Sequence, residues 1–130
     1  MAVVDDNILS TTKRQCGIEP EDTSYDVELT AHINSIFFVL QQLGIGPAEG
    51  FSLIDGTENW TDFIGTDQIA AVRTLMGMRV RMIFDPPPTG PATQAVERLI
   101  FEMEWRLNVH MEGVRWDAAL ATYLASTESP

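Results

Sequence analysis

The stretch Tyr25-Asp-Val-Glu-Leu-Thr-Ala-His-Ile-Asn-Ser-Ile-Phe-Phe-Val-Leu-Gln-Gln-Leu43 decides the fold class. Tyr25, Leu29, Ile33, Ile36, Phe37, Leu40 and Leu43 recur at spacings of three and four, which places them on one face of a helix. Thr23 or Ser24 is positioned to cap that helix, and Gly44 to end it. Phe38 falls on the other side, among Asn34, Gln41 and Gln42. It is either an isolated exposed aromatic, which is ordinary, or a contact with another subunit.

Working toward the N-terminus, Asp5 and Asp6 can cap a short helix from about Asn7 to Gln15, which Cys16-Gly17 ends. A polar connection from Glu19 to Thr23, containing Pro20, joins the two helices. Beyond Leu43 the helical period disappears until Gly65. Gly46-Pro47 and Gly50 break the chain, Phe51-Ser-Leu-Ile54 alternates weakly, Asp55-Gly56 is a hairpin signal, and Trp60 to Ile64 reads as a returning strand. An isolated hairpin is marginal in water. Phe51, Leu53, Ile54, Trp60 and Phe63 are therefore expected to lean on the helices or on a neighbouring subunit.

Thr66 is placed to cap a third helix, from about Asp67 to Phe84, with Ile69, Val72, Met76, Val80 and Ile83 as its stripe. Arg73 borders the stripe and is expected in a structural ion pair. Asp85-Pro86-Pro87-Pro88 stops this helix. Pro91 suits the first turn of a fourth, from about Ala92 to His110. Here Val96, Leu99, Ile100, Met103 and Leu107 form one apolar stripe, and Phe101, Trp105 and Val109 form another, roughly opposite. A helix apolar on two faces is either the centre of its bundle or a contact with another subunit.

Gly113 is expected to separate that helix from a last segment, Val114 to Pro130. Trp116, Leu120, Tyr123 and Leu124 share a face there if it is helical. Such a segment is too short to be stable alone and needs a docking surface, while Ser126 to Pro130 reads as a frayed end. The expected fold is mainly all-α. A bundle of about four helices spans residues 1–112, with a small β-hairpin or extended insertion at about 44–65, and a C-terminal arm spans 113–130.

A chain of 130 residues, 45% of them apolar, is one domain with a modest core. Eight basic residues face nineteen acidic ones, for a formal charge of -11, and Lys13 is the only lysine. That balance argues against tight nucleic-acid binding, which requires phosphates to be neutralised by Lys and Arg. No secretory signal is recognisable, and the apolar run Ile36 to Leu40 is far too short to span a bilayer. The expectation is a soluble protein that stays in the cytoplasm where it is made, without membrane contact. The single cysteine, Cys16, excludes an internal disulfide and reads as a small half-buried apolar residue.

Motifs for chemistry do not assemble. His32 and His110 lie on different helices without metal-ligand spacing. Gly44-Ile-Gly46 is followed by proline instead of a helix opening, so it is not a phosphate cradle. Asp55-Gly-Thr-Glu-Asn59 lacks the closing glutamate of a calcium loop. Glu102 has Arg98 and Arg106 within helical reach as ion-pair partners. No catalytic, cofactor-binding or metal-binding residue is expected, which points to a structural or binding role without enzymatic activity.

Several segments, taken in order, resemble a known family. They are Asn7-Ile-Leu-Ser10, the Gly17-to-Asp26 entry into the long helix, and Gln42-Leu-Gly-Ile-Gly46. After them come Trp60-Thr-Asp-Phe63, Arg79-Val-Arg-Met-Ile-Phe-Asp-Pro-Pro87 and Glu102-Met-Glu-Trp-Arg-Leu-Asn-Val109. Over about residues 7–110 the chain resembles the head-to-tail connector, or adaptor, proteins of siphophages and related prophages. That resemblance implies a helical adaptor forming a twelve-fold ring under the portal protein of the virion neck. The ring extends the DNA channel, through which DNA passes without specific binding, and receives the next connector, stopper or tail protein; if the chain forms such a ring, its acidity would give a lumen that repels DNA and lets it slide. It also implies that a C-terminal arm, here Trp116, Leu120, Tyr123 and Leu124, reaches the portal. In such a ring Phe38, Phe101, Trp105 and Val109 would be subunit contacts, and the Phe51 to Phe63 apolar group a contact with the next ring or a neighbour. Two other readings stay open: a different connector layer, of the head-closure or stopper type, and an acidic DNA mimic that inhibits a host protein.

Overall fold

The computed structural model describes residues 5–65 and 69–127. It contains α1 (Ile8–Gln15), α2 (Asp26–Gln42), α3 (Trp60–Phe63), α4 (Ile69–Phe84) and α5 (Gly90–Thr127), with no strand among the described residues. The expected all-α class holds.

Asn7 itself caps α1, its side chain accepting the Ser10 N–H at 2.8 Å. The two aspartates expected as caps do other work. Asp5 accepts from the Ser10 hydroxyl at 2.6 Å, and Asp6 from the Thr61 hydroxyl at 2.7 Å. Helices α1 and α2 end alike. Gly17 (φ 78°) and Gly44 (φ 83°) take the left-handed conformation that favours glycine. The next residue then donates its N–H back across the last turn, Ile18 to the Lys13 carbonyl at 2.8 Å and Ile45 to the Leu40 carbonyl at 3.0 Å. Both isoleucines are buried by this reversal, which adds them to the core.

The α2 stripe packs as its spacing predicts. Leu29, Ile33, Ile36, Phe37 and Leu40 are buried, whereas Tyr25, at the helix start, is half exposed and stacks edge-on against Phe84. Neither Thr23 nor Ser24 caps α2; the N-cap position is Tyr25, without a side-chain hydrogen bond, and Asp26 and Glu28 face the positive end of the helix dipole instead. Helix α4 packs against α1, α2 and α5, burying Val72, Leu75, Met76 and Val80. Ile83, expected in that stripe, is exposed near the open end of the helix. The Thr66 cap and Asp67 lie outside the described residues.

The insertion is not a β-hairpin. Residues 51–54 form no strand, and Leu53 pairs with the Asn34 side chain: Asn34 accepts the Leu53 N–H at 2.7 Å and donates to the Leu53 carbonyl at 3.2 Å. The Glu58 carboxylate closes the following turn by accepting the Ile54 and Gly56 N–H groups at 2.9 and 3.0 Å. Trp60 to Phe63, expected as the returning strand, is a helical turn. Asp62 reaches back to the Asn59 N–H at 2.9 Å, which stabilises the helical start. The turn brings both Trp60 and Phe63 onto Phe37, with ring centroids at 6.4 and 4.7 Å. The insertion is tied to the N-terminus by the bonds from the Ile8 N–H to the Glu58 carbonyl and from the Trp60 N–H to the Asp6 carbonyl.

Two buried polar features have no counterpart in the hydrophobic pattern. Lys13 is 2% exposed, its ammonium held by the Asp26 carboxylate at 2.8 Å and the Pro20 carbonyl at 2.9 Å. It joins α1, the connection and the start of α2. Cys16 is buried in the core, deeper than half-buried, and desolvation pushes its thiol pKa up. The ion pair expected on α4 is made by Arg79, to Glu104 on α5. Arg73 instead contributes to the field around Asp5.

Helix α5 runs unbroken for 38 residues through Gly113, where a break between residues 112 and 114 was expected. One internal glycine costs about 1 kcal/mol against alanine, less than a new helix end. Ser126 and Thr127, read as part of a frayed end, are still helical, and residues 128–130 lie outside the described residues.

Candidate functional site

The described residues contain no group of three or more His, Cys, Asp or Glu able to hold a metal. No described helix is long and apolar enough to cross a membrane. His32 stands 3.6 Å from Glu28 one turn earlier on α2. What the fold does present is apolar surface that the domain leaves uncovered.

Most of it lies on α5. The face toward α4 carries Ile100 and Leu107, both buried, with Val96, Met103 and Met111 packed partly beneath; Leu99, expected there, is exposed. On the opposite face Phe101 is 75%, Trp105 60% and Val109 46% exposed. Helix α5 is therefore not the centre of its bundle. From Val114 onward every described residue is exposed, so the last turns project from the domain by about 20 Å at 1.5 Å per residue. Trp116, Leu120, Tyr123 and Leu124 are all exposed on that projection.

Because α5 is uninterrupted, the two sets form one surface. At about 100° per residue, Phe101, Trp105, Val109, Trp116, Leu120, Tyr123 and Leu124 fall within a sector of roughly 140°. The stripe is about 35 Å long. Arg106 flanks it, paired to Glu102 at 2.7 Å one turn earlier. Near the point where α5 leaves the domain, Arg115 lies over Gly44, at the carbonyl end of α2, where a cation is electrostatically favoured.

A second uncovered surface is a groove of about 560 Å³ beside α2, lined by Asn34, Phe38, Gln41, Glu49, Phe51 and Ile54, among others. Phe38 is exposed as its position in the helix predicts, and Ile54 is 88% exposed. The groove is acidic at its rim through Glu49 and Glu58. Next to it the Thr57 hydroxyl and N–H bind Asp55 and hold its carboxyl below the usual carboxylate range.

The rest of the expected neighbour-contacting group is divided by the fold. Leu53, Trp60 and Phe63 lie in the core, with Trp60 fully buried and its indole N–H donating to the Thr11 hydroxyl at 2.8 Å. They support the insertion from inside and cannot touch another chain while the domain is closed. Phe51 is half-buried against Phe37 and Phe63, at ring distances of 5.1 and 5.2 Å. Of this group Ile54 alone is largely presented to solvent, its N–H held by the Glu58 carboxylate. Sequence reasoning missed Val27, 88% exposed on α2, and Ile83 and Leu99, both 51% exposed. No spacing signal marks them, since Ile83 and Leu99 belong to stripes whose other members are packed.

These are the large apolar surfaces that the described fold leaves uncovered. The family described as phage connector protein matches residues 8–114. The chain belongs to that family and has its structural, connector-type role among phage head and tail proteins. No curated protein and no solved structure matches it. The match ends where α5 leaves the domain, so the projecting Trp116-to-Leu124 segment lies beyond it.

Proposed function

We propose that this connector is the adaptor subunit that forms a ring, twelve-fold by the family resemblance, directly beneath the portal in the virion neck. The ring continues the DNA channel and receives the next connector, stopper or tail protein below. The observation that carries this reading is the projecting end of α5, a rigid helical arm with Trp116, Leu120, Tyr123 and Leu124 uncovered. A 14-residue peptide of this kind is unstable in water; it persists here by continuing a helix already docked on α4, and it needs a second surface to bury its apolar side. The portal is the surface proposed for it. Phe38, Phe101, Trp105 and Val109 are the proposed subunit contacts.

A buried aromatic anchor of this sort contributes about 2 kcal/mol or more. A ring repeats each contact by symmetry, so modest single interfaces add through multivalency. The formal charge of -11 per chain opposes closure through mutual repulsion and leaves DNA in the lumen without a binding surface.

The test is electron microscopy of the purified chain mixed with its portal ring. A second ring stacked on the portal is expected, and it should be lost when Val114 to Pro130 are deleted. None of the described residues removed is buried, so the truncated domain should stay folded. Portal binding retained by the truncated chain would remove the arm from the reading. No ring on the portal from the full chain would move the protein to a lower connector layer.

A further inference from the structure

We infer that the groove beside Phe38 is the seat for the α5 stripe of a second copy of this chain, near its Phe101 and Trp105, making the ring contact head-to-tail. This rests on the ring reading and specifies which two surfaces close it. Helix α4 packs against both α2 and α5. Phe38 points from the side of α2 opposite its buried face, and Phe101 and Trp105 from the side of α5 opposite its own. The two apolar surfaces thus face away from one core and cannot cover each other within a chain. A two-fold contact of stripe on stripe would leave Phe38 and Ile54 in water. A heterologous contact, front of one copy to back of the next, covers both surfaces and propagates into a ring.

The chemistry of the two sides matches. The groove has aromatic and aliphatic walls in Phe38, Phe51 and Ile54, with Glu49 at its rim. Trp105 needs an acceptor for its indole N–H when it is buried, and the Glu49 carboxylate supplies one. Arg98, one turn before Phe101, brings a positive charge to the same acidic rim. At this contact Phe101 and Trp105 are 75% and 60% exposed. At about 200 Å² for a full aromatic side chain they bring roughly 270 Å² of apolar surface to the groove. Val109 lies beside them, while Trp116, Leu120, Tyr123 and Leu124 stay available to the portal.

The test is cross-linking of portal-bound rings by a short bismaleimide, with Ile54→Cys and Phe101→Cys in the same chain. Both sites are exposed and the native Cys16 is buried, so the domain should fold and only the new thiols should react. A ladder of covalent multimers is expected on a denaturing gel, and each single variant should run as a monomer. Rings visible by microscopy without a ladder would overturn the groove-to-stripe pairing while leaving the ring reading intact. Dimers from Phe101→Cys alone would establish the two-fold contact instead and also overturn it. Loss of rings from the unmodified chain on the portal would remove the ring reading and this contact with it.

Discussion

The chain has three tryptophans, and the same substitution at each should have opposite consequences. Trp60 is fully buried, touches Phe37 and Phe63, and donates its indole N–H to Thr11. Truncating a core tryptophan to alanine costs about 3–5 kcal/mol, and the lost hydrogen bond about 1 kcal/mol more. A domain of this size has roughly 5–15 kcal/mol in all, so Trp60→Ala should be barely folded or unfolded. Trp60→Phe is the milder form. The Thr11 hydroxyl still donates to the Asn7 carbonyl at 2.8 Å, so only its acceptor side is emptied. The loss should be roughly 2–3 kcal/mol from that bond and the smaller ring, or about 10 °C in Tm. Trp105→Ala and Trp116→Ala, at exposed positions, should move monomer stability by less than about 0.5 kcal/mol and instead impair ring assembly and portal binding respectively. Urea unfolding followed by circular dichroism measures all four. An unfolded Trp105→Ala beside a neutral Trp60→Phe would refute the assignment of core and surface.

Lys13 and Asp26 should respond unequally to alkaline-neutral removal of one partner at a time. Asp26→Ala leaves an ammonium that is 2% exposed without its counter-ion, whereas Lys13→Met leaves a carboxylate 30% exposed and able to reach water. Breaking a buried pair costs about 3–5 kcal/mol; the aspartate substitution should approach that range and the lysine substitution fall below it, as read by denaturant midpoints at pH 7. Acid should expose the role of Asp5. Burial raises its pKa, but the Ser10 hydroxyl, the Asn7 N–H, Arg14 and Arg73 outweigh burial and lower it. The folded pKa lies below the unfolded one, so the stabilisation is complete above about pH 3.9 and is lost as pH falls through the folded value. The stability gap between the native chain and Asp5→Asn should close in that acid window, and a gap unchanged down to pH 2 would refute it. Cys16, its thiol pKa raised by burial, should alkylate at the rate of domain opening, with labelling accelerated by sub-denaturing urea. Labelling as fast as a free thiol would place it at the surface.

The parts of the fold legible in the sequence are those where one simple period decides the outcome. The α2 stripe, its Gly44 stop, the Cys16-Gly17 stop and the outward position of Phe38 follow from spacing alone. The insertion was harder because a run as short as Trp60 to Ile64 is too brief for its period to separate strand from helix. The better signal was the Asn59-x-x-Asp62 pair, a capping pattern outside the hydrophobic ones. Lys13 was hidden by its own chemistry, since lysine is rarely buried and its pairing with Asp26 spans a connection no pattern describes. At position 113 a glycine reads as a boundary, yet a helix already docked along α4 propagates through it for little cost. The two apolar sets of α5 were each visible, but their union into one stripe depends on phase being kept through that glycine.

That kept phase gives α5 the mechanics of a lever. Its 38 residues make a rod about 57 Å long. With the Thr127 end fixed, a tilt of about 10° would sweep the Gly90 end through about 10 Å, nearly the diameter of a helix. Small angular errors at the far end are thereby magnified at the four-helix body. In the proposed ring, closure would select the one tilt at which every swing cancels. Gly113, with nothing within 4 Å of where a Cβ would stand, lies inside this rod, next to the point where it leaves the domain.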